Sequence, residues 1–141
     1  MRKITIIGAG GKMGMRISRN LMNEAYDVSY IEISESGKER LNTLGIICTT
    51  SELDIVDTDV VILAIPDVAI ESASPGIVQK MKTGSLLITL DPAAPFAGKL
   101  FRRPDIAYFL AHPSHPSIFN WEPTLEAQMD YFGGTLAKQT M

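Results

Sequence analysis

Near the amino terminus, Gly8-Ala9-Gly10-Gly11-Lys12-Met13-Gly14 places four glycines in seven residues, directly after an apolar run and directly before a helical pattern. Glycine has three uses in that setting. It permits the positive φ of a tight turn, it lets bare main-chain amides approach an anion, and it allows a helix to sit close on a strand. The amino terminus of a helix adds partial positive charge at the same place, so the chemistry expected is the holding of a diphosphate. Gly8, Gly11 and Gly14 give G-x-x-G-x-x-G, and Gly8 and Gly10 begin a G-x-G. The last glycine comes one position later than in strict G-x-G-x-x-G, because Met13 holds the sixth place. A plain reversal of the chain is the alternative reading. Gly11-Lys12 is followed by Met13 rather than Ser or Thr, so the magnesium-binding hydroxyl of a P-loop is missing, and G-x-S-x-G occurs nowhere.

Glu32 follows Gly14 by 18 residues (32 − 14), about where an acid at the end of the next strand accepts hydrogen bonds from the ribose hydroxyls of an adenosine. A carboxylate there repels the 2′-phosphate of NADP, which favours NAD, although Ser34 and Lys38 stand nearby to assist a phosphate. A solvated glutamate at a strand end is the bland alternative.

His112 and His115 are the only histidines, and both fall in a proline-rich stretch beyond the last clear strand. Histidine can orient a hydroxyl or carboxylate, or shuttle a proton, which makes both candidates for substrate contact or catalysis. Loop hydrogen bonding is the competing explanation. No third metal ligand is evident beside them, so no metal site is expected. Ile65, Pro66, Asp67 and Asp91 lie at the carboxyl ends of two further strands, where ligands of open parallel sheets bind, and are expected to line the cofactor cleft. Asp67 has a second reading as the cap of a helix beginning at Val68, and Asp91 as a turn residue before Pro92.

The elements that must position these residues alternate along the chain. Strands are expected at Lys3 to Ile7, Val28 to Ile33, weakly at Ile46 to Thr49, then at Val60 to Ile65, Ser85 to Leu90 and Ile106 to Ala111. Helices are expected from Lys12 with a Met13, Ile17 and Leu21 stripe, from Ser36 to Leu44 closed by Gly45, and from Val68 to Met81 with a break near Ser74-Pro75-Gly76. The run from Val60 to Ile65 is apolar at every position, as in a strand covered on both faces. This alternation implies an α/β fold of Rossmann type, a doubly wound and mainly parallel sheet with helices on both faces.

The 141 residues suit one domain, with 45% hydrophobic and 21% charged residues arguing for a fold stable in water. The apolar runs are too short to cross a bilayer and Met1-Arg2-Lys3 leads straight into a strand, so neither membrane nor secretion is expected and the location expected is cytoplasmic. A net charge of −3 without a basic block argues against a nucleic-acid partner. Cys48, the sole cysteine, has apolar neighbours and is expected to be a buried thiol. The last residues, Leu136 to Met141, read as the start of another strand. A cofactor domain over residues 1–141, truncated ahead of a further domain, is therefore the organisation expected, and a stand-alone NAD(H)-sensing module is the alternative.

The segments Ile4 to Gly14, Ala64-Ile65-Pro66-Asp67, Asp91-Pro92-Ala93-Ala94-Pro95 and Ala111 to Pro116, with Phe119-Asn120, carry a family likeness. Together they resemble the amino-terminal domain of the 6-phosphogluconate dehydrogenase and β-hydroxyacid dehydrogenase superfamily, nearest in look to its D-apionate oxidoisomerase group. The resemblance implies hydride transfer from a hydroxyl of a sugar acid to NAD, a small-molecule hydroxy acid as substrate, and a helical substrate domain that also forms a homodimer.

Overall fold

A computed structural model describes residues 1–112, 121–130 and 136. In it the alternating pattern becomes β1 (Lys3–Ile7), α1 (Lys12–Leu21), β2 (Asp27–Ile31), α2 (Glu35–Asn42), a 3-10 turn (Glu52–Ile55), β3 (Val60–Leu63), α3 (Asp67–Lys80), β4 (Leu86–Thr89), α4 (Ala93–Phe96), β5 (Ala107–Leu110) and α5 (Leu125–Gln128). The five strands lie in the order β2-β1-β3-β4-β5, each parallel to its neighbours. After β1 the chain builds β2 on one side and then crosses to build β3 on the other. The carboxyl ends of β1 and β3 therefore part at a topological switch point, where such sheets leave a crevice.

Side-chain alternation divides the interior into two layers. Val61, Leu63 and Leu87 join Ile70, Ile77 and Val78 of α3 on one face. Ile4, Ile6 and Ile62 join Leu41 of α2 and the flank of α1 on the other. Each fully buried aliphatic side chain contributes roughly 1.5–3 kcal/mol, which is why β1, β3 and β4 can be apolar on both sides.

Four expectations need correction. The weak strand at Ile46 to Thr49 is not a strand: Ile46 donates to the Leu41 carbonyl at 3.1 Å, so the segment stays tied to the end of α2, and only Thr49 pairs with Ile31 in an isolated parallel bridge. As a full strand it would have completed the 3-2-1-4-5-6 order of dinucleotide-binding sheets. Helix α3 runs unbroken through Pro75, with Ile70, Ser74, Ile77 and Val78 buried on either side of it. That burial outweighs the roughly 3 kcal/mol that an interior proline costs. Helix α1 faces the sheet through Gly14 and Ser18 rather than Met13, with Ile17 and Leu21 beside them. The missing Gly14 side chain lets the helix settle on the turn, and this rotates Met13 toward the strand ends. Gly45 does take the left-handed cap, at φ 72°. Cys48 is half-buried rather than buried.

The amino ends of the strands carry a cluster of ion pairs. Lys3 pairs with Asp57, Lys82 with Asp59 at 2.7 Å, and Arg103 with Asp105. Arg103 also donates to the Val78 and Met81 carbonyls, both at 2.8 Å, and so ties the end of α3 to the entry of β5. Its guanidinium and the Thr83 hydroxyl hold the Asp105 carboxyl down at about 2, against an ordinary 3.8. A depressed carboxyl stabilises above its unfolded value and loses that contribution as pH falls through its folded value. D105N is therefore expected to melt below the wild type near neutral pH, and the gap in melting temperature is expected to close between about pH 4 and pH 2 in a scanning-calorimetry series.

Candidate dinucleotide-binding site

The glycine turn leaves β1 at Gly8, whose φ of 80° only glycine adopts without strain and whose added Cβ would stand 2.6 Å from the Ala64 carbonyl oxygen. A Cβ on Gly10 would meet the Gly37 backbone at 2.4–2.5 Å, and one on Gly14 would lie 2.0 Å from the Gly8 oxygen. Three of the four glycines thus exist for close contact within the protein. Gly11 is the roomier one, with 3.2 Å to its nearest neighbour, and it borders both cavities described below.

The turn's own amides are largely spent. Those of Gly8 and Ala9 donate to the Ile31 carbonyl at 2.9 and 3.1 Å, that of Gly11 donates to the Gly8 carbonyl at 3.0 Å, and that of Gly10 to Glu32 Oε2 at 2.9 Å. Those left for a ligand belong to the first turn of α1, where Lys12 and Met13 line the rim and have no earlier helical carbonyl to bond. No side chain caps α1 at Gly11, and no acid sits in its first turn. An anion fits that opening by charge as well as by geometry.

Glu32 is 6% exposed and turns toward the glycine turn. Beyond the Gly10 amide it accepts from the Ile33 amide at 2.9 Å, the Ser34 amide at 2.8 Å and the Ser34 hydroxyl at 2.8 Å. Burial is the largest single influence and disfavours the charge, but the hydrogen bonds from Ser34, Gly10 and Ile33 together outweigh it and hold the carboxyl below its ordinary 4.5. Ser34 also caps α2 by accepting from Gly37 at 3.1 Å, and a Cβ on Gly37 would stand 2.5 Å from the Glu32 carboxyl carbon.

Two cavities open along the carboxyl rim of the sheet. The larger, about 620 Å³, is mostly apolar and runs from Ile31, Glu32 and Ser34 to the small face of α3 formed by Ala69, Ala73 and Gly76. The second, about 400 Å³, is lined by Lys12, Met13, Asp67, Leu90, Asp91 and His112. Gly11, Ala64, Ile65 and Pro66 border both, so they form the ridge between an apolar pocket and a polar one. The pair suits a ligand with two ring systems joined by an anionic linker.

Most of the residues singled out by sequence meet on this rim: the turn, Glu32, Ile65, Pro66, Asp67, Asp91 and His112. Within the turn Ala9, Gly10 and Gly14 are exceptions, each buried and lining neither cavity. Asp67 does not cap α3, whose cap is Pro66 without a side-chain bond; instead its Oδ1 accepts from the Ala94 amide at 2.9 Å and ties α4 to α3. Asp91 does close the turn before α4, accepting from the Ala93 amide at 2.9 Å. His112 Nδ1 lies 2.9 Å from the Leu90 carbonyl. His115, Phe119 and Asn120 lie outside the described residues. Among the described residues, no group of three or more His, Cys, Asp or Glu side chains could hold a metal ion. Sequence reading missed Arg40, whose Nε donates to the Gly10 carbonyl at 2.8 Å, and Gly37, which supports Gly10 from below. A glycine inside a helix pattern was the only sign of the second. It also missed the small face of α3, legible in the helical spacing of Ala69, Ala73 and Gly76.

A parallel sheet with a glycine turn at its switch point and a cleft along its carboxyl rim defines the dinucleotide-binding class of α/β domain. Residues 3–95 match the family described as the NAD binding domain of 6-phosphogluconate dehydrogenase, and the chain belongs to that family. It is 51% identical over 140 residues to a D-apionate oxidoisomerase of Cupriavidus necator and 47% identical over 140 residues to one of Rhizobium rhizogenes; in each case the match covers 99% of this chain. The chain spans about half the length of these relatives, 51% of each. A crystal structure of a semialdehyde dehydrogenase NAD-binding protein from Cupriavidus necator, in complex with calcium and NAD, superposes with a TM-score of 0.83 at 51% identity. That match covers 99% of this chain and 51% of the other. The Rossmann-type fold expected from the sequence holds.

G14A is expected to lower unfolding free energy by about 3 kcal/mol or more, at the top of the range for overpacking, because its methyl meets main chain. G76A, whose Cβ meets nothing within 4 Å, is expected to raise it by about 0.5–1 kcal/mol; urea titrations compare the two. E32Q is expected to lose about 1–3 kcal/mol at neutral pH, since one of its amide groups then faces donors. As the native Glu32 carboxyl is depressed, the wild-type advantage is present above the ordinary 4.5 and fades as pH falls through the lower folded value.

Proposed function

We propose that this chain is the cofactor half of an NAD-dependent oxidoreductase that oxidises a hydroxyl-bearing carbon of a sugar acid of the D-apionate kind. The observation that carries the reading is the ridge of Gly11, Ala64, Ile65 and Pro66, which joins an apolar cavity to a polar one beside the open amides of α1. Ile31, Ile55 and Ala73 offer the apolar cavity to an adenine, and Lys12 and Met13 offer their amides to a diphosphate. Glu32 and Ser34 stand at the ribose end, and the buried negative charge of Glu32 disfavours a 2′-phosphate beside it. The residues fit NAD. When bound, that cofactor supplies the hydride acceptor.

His112 sits where the substrate hydroxyl belongs, in the polar cavity with Lys12, Asp67 and Asp91. The Leu90 carbonyl can only accept, so the Nδ1 of His112 carries the ring proton and donates it to that oxygen. In the neutral ring Nε2 is then the acceptor, and it takes the proton that leaves a hydroxyl as its carbon is oxidised. Lys12 supplies positive charge for a substrate carboxylate at the same cavity. His115 is a second candidate for the proton. In this reading a further domain accounts for the rest of the relatives' length, completes the active site and forms a homodimer, which the 51% share of each relative covered by this chain supports. A cytoplasmic location belongs to the same reading; among the described residues no helix is long and apolar enough to cross a membrane.

Isothermal titration of this chain is expected to show binding of NAD and NADH, with no turnover of sugar acids. No heat with either, or with their phosphorylated forms, at millimolar concentration overturns the assignment. In the parent protein assayed with D-apionate, H112N retains a donor for Leu90 but no proton acceptor. Its kcat is expected to fall about 100-fold or more with NAD affinity unchanged. An unchanged kcat removes His112 from the chemistry.

A further inference from the structure

Both peptide groups of Gly10 are held by side chains of the next strand-helix unit. Its amide donates to Glu32 Oε2 at 2.9 Å, and its carbonyl accepts from Arg40 Nε at 2.8 Å. The Gly37 backbone lies so close beneath that a Cβ on Gly10 would stand 2.4 Å from the Gly37 oxygen. Arg40 enters none of the ion pairs among the described residues, and its hydrogen-bond partner is this carbonyl rather than a carboxylate.

In a regular α-helix the amide of residue 14 would take the carbonyl of residue 10, four positions back. Here that carbonyl points to Arg40, Gly11 is extended at φ −68° and ψ 173°, and the first helical bond runs from the Met15 amide to the Gly11 carbonyl at 2.8 Å. The helix therefore begins at Lys12. Were Gly10 released, its carbonyl would be available to the Gly14 amide, the helix would gain a bond at its start, and Gly11 would leave its extended conformation, shifting the Lys12 and Met13 amides that border the cleft.

We infer that Arg40 is a positioning residue for the dinucleotide. By holding the Gly10 carbonyl out of α1, it fixes the turn so that the amides of Lys12 and Met13, which line the polar cavity, stay open to the diphosphate. Arg40 itself touches neither cavity. The inference rests on the cofactor site proposed above and adds a residue that the glycine motif does not contain.

The test measures affinities of the intact protein and of R40M and R40K for ADP-ribose, which has the diphosphate, and for adenosine, which lacks it. R40M keeps most of the aliphatic stem and removes the donor; R40K restores a donor. R40M is expected to bind ADP-ribose about fivefold to tenfold more weakly, a charged hydrogen bond reduced by solvent exposure, with adenosine affinity unchanged and melting temperature within a few degrees. R40K is expected to recover most of the loss. Equal affinity of R40M and wild type for ADP-ribose overturns the inference, and so does a parallel loss for adenosine, which would mark general loosening. A wild-type protein that binds neither compound overturns the cofactor reading itself and this inference with it.

Discussion

The hydrogen bond from the Gly10 amide to the buried Glu32 carboxylate joins the first strand-helix unit to the second, and the shape of the cleft follows from it. A carboxylate that is 6% exposed is costly unless its lone pairs are occupied. Four donors, from Gly10, Ile33 and twice from Ser34, occupy them. The same bonds set the turn's height above the sheet, cap α2 through Ser34 and require Gly37 to lack a side chain. Acid, turn and helix start are consequently one unit, and a change in any of them is felt at the others.

That unit explains why the cleft has two characters. On the β2 side, Ile7 and Ile31 at the ends of two strands, Ile55, Ile65 and the small face of α3 leave an apolar hollow. On the β4 side, Lys12, Asp67, Asp91 and His112 give charge and hydrogen bonding. The ridge of Ala64, Ile65 and Pro66 at the end of β3 divides them, and it lies at the switch point where no crossover connection covers the sheet. A flat binding surface would not distinguish the two ends of a ligand; this one does so by polarity alone.

Much of this was legible in the chain. Strand alternation is clear because β3 and β4 are covered on both faces and read as unbroken apolar runs, and the glycine turn is clear because four glycines cannot be helix or strand interior. Glu32 was legible as an acid at a strand end, but its engagement by Ser34 and Gly10 was not, since that depends on how the second unit docks on the first. Arg40 left no sign for the same reason: its partner is a main-chain carbonyl 30 positions away. Pro75 misled because local propensity favours a break while Ile70, Ile77 and Val78 anchor the helix from both sides. Ile46 to Thr49 misled because β propensity counts side chains and ignores the tie from Ile46 to α2.

All five strands run the same way, so the sheet has two unlike borders. Lys3, Asp57, Asp59, Lys82, Arg103 and Asp105 gather on the entering border, and every ligand-facing group gathers on the leaving one. The length of one strand separates the two. The paired carboxylates of Asp57, Asp59 and Asp105 can therefore be altered on the entering border without touching the turn, the buried acid or the cavities on the leaving one.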